Sequence, residues 1–155
     1  MMELAVLSAA FAMGAAIPDR HACGSFSPAL SWSDGPANTQ SLAILCDDPD
    51  APVGDWVHWV VFNLAPDMRA LPENVARDAQ LPGGAVQGLN DYNRRGYDGP
   101  CPPPGQQHRY FFKVFALDTR LDLDAKARKK DLLQAMNGHI LAQGALWGTY
   151  HRPGQ

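Results

Sequence analysis

The sequence has little with which to brace a fold from outside. It holds only three cysteines, Cys23, Cys46 and Cys101, in 155 residues, and no two of them form a C-x-x-C pair. That excludes a disulfide-dense scaffold and a structural zinc site, and it leaves at least one thiol unpaired. A reducing compartment follows as the expectation, and with it a cytoplasmic protein. Charge is scarce as well. Asp, Glu, Lys and Arg make up 19 % of the chain and the formal net charge is -3 at pH 7, so there is no basic field to hold nucleic acid or an anionic membrane surface. No apolar run reaches the ~20 residues that span a bilayer. The closest, from Leu4 to Ala16, lacks the positive flank of a signal peptide and is broken by Gly14 and Pro18.

What is present suits one β-rich domain over residues 1–155. The chain is 46 % hydrophobic, enough for a core, and its 14 Gly and 13 Pro exclude an architecture of long helices. Three segments have strand character: Ser41 to Cys46, Asp55 to Leu64, and Arg109 to Leu117. Alternation in the third places Tyr110, Phe112, Val114 and Ala116 on one face, with His108 continuing that face. Residues 125–141 have near-helical apolar spacing, interrupted at Asn137-Gly138, with Asp122 or Asp124 as the expected cap. Leu146 to Tyr150 reads as a last strand. From Pro82 to Gly105, 11 of 24 residues are Gly or Pro. Loops longer than ~12–15 residues are uncommon in compact domains unless functional or disordered, and Asn90, Tyr92 and Tyr97 favour order here.

Four polar side chains stand where strand patterning expects carbon: Asp48, His58, His108 and Tyr110. Each has an ordinary reading beside the functional one. Asp48 before Pro49 suits an Asx-turn, His58 a hydrogen-bonded core histidine, His108 a solvated strand end, and Tyr110 a buried ring with its hydroxyl at the rim.

In their motifs these residues point further. Asp48-Pro49-Asp50-Ala51-Pro52, then Trp56-Val57-His58-Trp59, then Gly99-Pro100-Cys101-Pro102-Pro103-Pro104-Gly105 leading into His108-Arg109-Tyr110, resemble the phosphatidylethanolamine-binding protein family. The likeness is to its bacterial and archaeal, Raf kinase inhibitor-like branch, and it spans nearly the whole chain. It implies an antiparallel Greek-key β-sandwich with short C-terminal helices and a first strand at Ser8 to Phe11, which leaves no room for a leader. It also implies a small-anion pocket, for a phosphorylated head group among others, built from Asp48, His58, His108, Tyr110 and the turn Gly99, Pro100, Cys101 and Pro102. No cofactor or metal belongs to that pocket. A kinase or protease as protein partner, and a homodimer, are further implications of the resemblance. Two departures qualify it: Gly24-Ser25-Phe26 follows Cys23 where relatives often have Asp-Gly, and the tail ends soon after Tyr150. Relatives in animals have a longer C-terminal helix over the pocket, so inhibition of Raf does not carry over.

Physical chemistry explains the residue types. A carboxylate beside an imidazole favours the cation, which donates two hydrogen bonds to a phosphate, and Asp48 itself suits orienting a histidine. Prolines lack an N–H, so between Gly99 and Gly105 the Cys101 amide is the only donor, on a turn stiffened in advance. Six X-Pro bonds in the two motifs, each cis about 5–6 % of the time, allow a cis peptide. Cys101 reads as a structural thiol with redox sensitivity as the alternative. Arg94 and Arg95 can receive an acidic partner or lie solvated. The competing activity is a hydrolase, with or without metal, using Asp48, His58 and His108. No nucleophilic Ser or Cys is visibly placed for it and no G-x-S-x-G elbow is present.

Overall fold

Residues 41–48 are buried on both faces, and the rest of the chain is arranged to cover them. The computed structural model describes residues 2–153. In chain order the strands are β1 (Met2–Glu3), β2 (Val6–Leu7), β3 (Leu30–Trp32), β4 (Ser41–Asp48), β5 (Trp56–Leu64), β6 (Ala70–Leu71), β7 (Val86–Gln87), β8 (Gln107–Leu117) and β9 (Ile140–His151). One α-helix, α1 (Lys129–Met136), precedes β9. The larger sheet runs β1-β9-β8-β4-β5-β7 and the smaller β2-β3-β6. Pairing between these strands is antiparallel apart from β1 with β9, which is parallel, as is the isolated bridge of Ala16 with Thr149.

Both faces of β4 are apolar because each meets a layer. Leu42, Ile44 and Cys46 pack with Trp59, Val61, Phe112 and Val114 toward Val6 and Trp32 of the small sheet. Ala43 and Leu45 pack with Val60, Phe62, Phe115 and Leu117 under Leu132 and Met136 of α1. The alternation read in β8 holds, since Tyr110, Phe112, Val114 and Ala116 all face the first core.

Several expectations are corrected. The first long-range pairing of the smaller sheet is made by Val6–Leu7, not by residues 8–11. The Ser8 hydroxyl accepts the Ala10 N–H at 3.0 Å, a local bond that competes with a ladder. The helix is shorter than its apolar spacing suggested, and it is a single one. Arg128 is its N-cap, the Asp131 carboxylate accepts the Arg128 N–H at 3.0 Å, and Asp124 instead accepts from Lys126 at 2.9 Å. Ile140 and Leu141 belong to β9, which pairs along the length of β8. Gly138, at φ +83°, reverses the chain between helix and strand. No described peptide bond is cis.

The glycine- and proline-rich segment is ordered by its polar side chains. Asn90 Nδ2 donates to the Gly96 carbonyl at 3.1 Å and to Asp98 at 2.7 Å, and Asn90 Oδ1 accepts the N–H groups of Tyr92 and Arg94. Tyr97 is buried and its hydroxyl donates to the His21 carbonyl at 2.8 Å. Among the described residues no helix is long and apolar enough to cross a membrane.

Candidate functional site

Register places the four polar residues together. Asp47 lies opposite Phe111 of β8 and Val57 of β5, and Asp48 lies opposite Trp56. Strand alternation then sends the two neighbouring carboxylates to opposite faces. Asp47 goes to the helix side, between Lys113 at 3.1 Å and Lys129 at 2.8 Å. Asp48 goes to a pocket of about 220 Å³ at the end of the larger sheet.

Of the residues expected there, Asp48, His58, Cys101, Pro102, His108 and Tyr110 line the pocket. Gly99 and Pro100 do not. They stand behind the wall, where the Gly99 N–H donates to the Gly24 carbonyl at 2.7 Å and the Pro100 carbonyl accepts the Cys23 N–H at 2.9 Å. Trp56, Tyr92 and Pro103 are lining residues that the sequence reading did not select, with Ala51, Pro52 and the exposed Val53. Tyr92 had a detectable signal, an aromatic in a loop too ordered to be a linker.

Cys101 is not a free thiol. It is bonded to Cys23, 78 positions earlier, and only the buried Cys46 is reduced. The reading of Cys101 as a thiol is corrected here, and cysteine usage no longer argues for a reducing compartment. So wide a separation leaves no spacing signature in sequence; the paired backbone bonds of residues 23–24 with 99–100 bring the two thiols together. Gly99 permits that approach, because a Cβ there would lie 2.1 Å from the His21 carbonyl oxygen. Gly99→Ala is therefore expected to destabilise the protein by about 1–3 kcal/mol, the usual cost of overpacking, in urea unfolding. An unchanged midpoint would mean that this wall can shift freely.

Asp48 fills both of the roles proposed for it. Its Oδ1 accepts the Asp50 N–H at 2.8 Å, the Asx-turn, and its Oδ2 accepts from His108 Nδ1 at 2.7 Å. Asp50 in turn holds Arg109 through both carboxylate oxygens at 2.9 Å, and those bonds keep its carboxyl below the usual range. Nε2 of His108 lies 2.9 Å from the Gln106 side-chain oxygen. With both nitrogens engaged, His108 presents its ring to the pocket, stacked at 6.4 Å on Tyr110.

His58 is arranged differently. Its Nδ1–H donates to the Asp98 carbonyl at 2.5 Å. A carbonyl only accepts, so the proton of the neutral ring sits on Nδ1 and Nε2 is left with a lone pair. Burial holds His58 below the ordinary imidazole range, against the opposing pull of the Asp98 carbonyl and the carboxylates of Asp48, Asp98 and Asp47. The ring stands edge-on to Tyr110 at 5.3 Å and to Tyr92 at 5.8 Å. Burial, and after it the Asp48 carboxylate, push the Tyr110 phenol up, so its hydroxyl keeps its proton. Two further N–H groups at this wall lack partners among the described residues: the Cys101 amide and the buried Trp56 Nε1.

Comparison with known proteins places this geometry. The family model for phosphatidylethanolamine-binding protein matches residues 7–151, which include every lining residue. The chain belongs to the phosphatidylethanolamine-binding protein family. A UPF0098 protein of Methanothermobacter thermautotrophicus is 53 % identical over 138 residues, covering 88 % of this chain and 91 % of that one. Among solved structures, the phosphatidylethanolamine-binding protein homolog CT736 of Chlamydia trachomatis is 41 % identical with a TM-score of 0.87, covering 98 % of this chain and 99 % of its own. E. coli YbcL, described as a new member of the mammalian family, is 34 % identical with a TM-score of 0.89, covering 96 % and 98 %. The chain shares the fold of these relatives, here with one mixed sheet, one antiparallel sheet and, among the described residues, one short α-helix.

Proposed function

We infer that the chain is a non-catalytic binding protein for a small phosphorylated or carboxylate anion, seated in the pocket formed by Asp48, His58, Cys101, Pro102, His108 and Tyr110. The observation that carries this reading is a set of groups that the described residues leave without partners in a largely apolar recess: the Cys101 amide and His58 Nε2, beside the Tyr110 hydroxyl. A ligand oxygen there accepts from the Cys101 amide, and from His58 Nε2 once one proton is taken up with it. Prolines on either side of Cys101 keep the donor in place before binding. Asp48 is occupied by His108 and the Asp50 amide, which makes it a positioning group and not a contact for an anion.

The lining supports binding over catalysis. It contains no Ser, Thr or Lys, and its one cysteine is in a disulfide. His108 has its Nδ1 held by Asp48 and its Nε2 beside the Gln106 side-chain oxygen, so His58 Nε2 is the imidazole nitrogen left without a partner among the described residues.

Imidazole nitrogen NMR with phosphoethanolamine as the probe tests the reading. Saturable shifts are expected at His58 Nε2, with smaller changes at His108, and their assignment comes from His58→Ala and His108→Ala samples. If neither ring responds up to millimolar probe, the pocket does not bind anions.

A further inference from the structure

Next to the pocket lies a second recess of about 300 Å³, lined by Cys23, Gly24, Tyr92, Arg94, Asp98 and Gly99, with Cys101 at its border. Tyr92 and Cys101 line both cavities. The two are thus compartments of one groove, divided by the Tyr92 ring and the Cys23–Cys101 bridge. Asp98 frames both: its carbonyl fixes His58, and its carboxylate stands on the far side of the divide.

The two adjacent arginines of this loop have separate jobs. Arg95 is used up within the fold, with Nε donating to the Gln87 carbonyl at 3.3 Å and Nη2 to the Ala125 carbonyl at 2.7 Å. Arg94 is the exposed one. Its side chain is 60 % exposed and meets only Asp98, at 3.2 Å. The other oxygen of that carboxylate, Oδ2, is held by Arg77 Nη2 at 2.9 Å and Asn90 Nδ2 at 2.7 Å, while Arg94 faces Oδ1. Two guanidinium groups therefore face one carboxylate, and the outer one has most of its donor fork free for an anion. The backbone beneath it is held by Asn90, which accepts the Arg94 N–H at 3.2 Å.

We propose that the groove takes a small molecule with two anionic groups, one in the His58/Cys101 compartment and the other on Arg94, with its linking atoms lying across Tyr92. This rests on the anion-pocket reading above and adds a second subsite to it. The exposed part of Tyr92, 40 % of its surface, gives the linker an apolar and aromatic bed. A molecule with one anionic group fills only half of this arrangement.

Matched alkyl phosphates test it: propyl, butyl and hexyl monophosphate against the corresponding α,ω-bisphosphates, by calorimetry at constant ionic strength. At the best chain length the bisphosphate is expected to bind at least tenfold more tightly than its monophosphate. Arg94→Gln, an exposed change outside the first pocket, should abolish that advantage and leave monophosphate affinity as it was. Equal affinities at every length, or an advantage that survives Arg94→Gln, overturn the second subsite while monophosphate binding upholds the first. Absence of binding by both series overturns both.

Discussion

Protein with Cys23 and Cys101 replaced by serine is expected to unfold with about 4.5 kcal/mol less stability than the oxidised chain. The bridge closes a loop of 78 residues in sequence separation, and the chain-entropy relation gives roughly that value for a loop of such length. Most of the effect lies in the unfolded state, which gains conformations when the tether is cut. A second sign follows, since the freed chain exposes more surface on unfolding and the urea slope should rise. Oxidised protein, protein under a dithiol reductant, and the double variant should be compared by urea denaturation, and the last two should agree. Coincident midpoints in all three would show that the bridge contributes nothing. The wall itself should persist after reduction, because the Cys23 N–H to Pro100 and Gly99 N–H to Gly24 bonds do not depend on sulfur. Reduced protein is thus expected to retain anion binding wherever it remains folded.

Anion affinity is expected to fall as pH rises from 6 to 8, steepening toward about tenfold per pH unit at the alkaline end, because one proton enters with the ligand. The cause is the tautomer of His58. Its Nδ1–H is committed to the Asp98 carbonyl and burial keeps the ring neutral, so Nε2 turns a lone pair toward an anionic oxygen. Binding requires a proton between them, on the ring or on the phosphate, whose second pKa is about 6. Calorimetry in buffers of different ionisation enthalpy should show uptake approaching one proton per site at the alkaline end. His58→Gln puts a permanent amide donor near Nε2 and should flatten the pH profile. His58→Ala should weaken binding at pH 6 by about 10- to 100-fold, the worth of a hydrogen bond to a charged group. A pH-independent affinity in the unsubstituted protein would overturn this account. The unliganded fold has its own pH dependence. Because the folded imidazole titrates below its ordinary value of 6.5, the unfolded chain takes up the proton first. The contribution of His58 to stability is therefore present above that value and is lost as pH falls below it. Bound anion should restore it.

Much of the scaffold was legible in the residues. Period-two patterning in 109–117 assigned Tyr110, Phe112, Val114 and Ala116 to one buried face, where they are found, because alternation is a local property of extended backbone. The strands through residues 41–48 and 56–64 announced themselves by apolar runs bounded by Asp and Pro. The motifs around Asp48, His58, Cys101 and His108 were enough to select most of the pocket. Ile140 and Leu141 were misassigned for a physical reason: their spacing fits a helix, but pairing along β8 outweighs a local preference that is worth only tenths of a kcal/mol per residue.

Tertiary structure alone decided what each site residue can do. Asp47 and Asp48 are identical in sequence terms, and the register of β4 between β5 and β8 sends one to two lysines and the other to His108. His58 and His108 are likewise the same side chain, yet one keeps a nitrogen without a partner among the described residues and the other has both beside oxygens of the chain. The pairing of Cys23 with Cys101, and the division of labour between Arg94 and Arg95, depend on contacts far apart in the chain. Sequence by itself determined the faces of the strands and the chemical groups available, since both follow from local geometry and composition. Which hydrogen bonds those groups keep for themselves, and which they leave open to a ligand, is set by non-local pairing that no local pattern encodes.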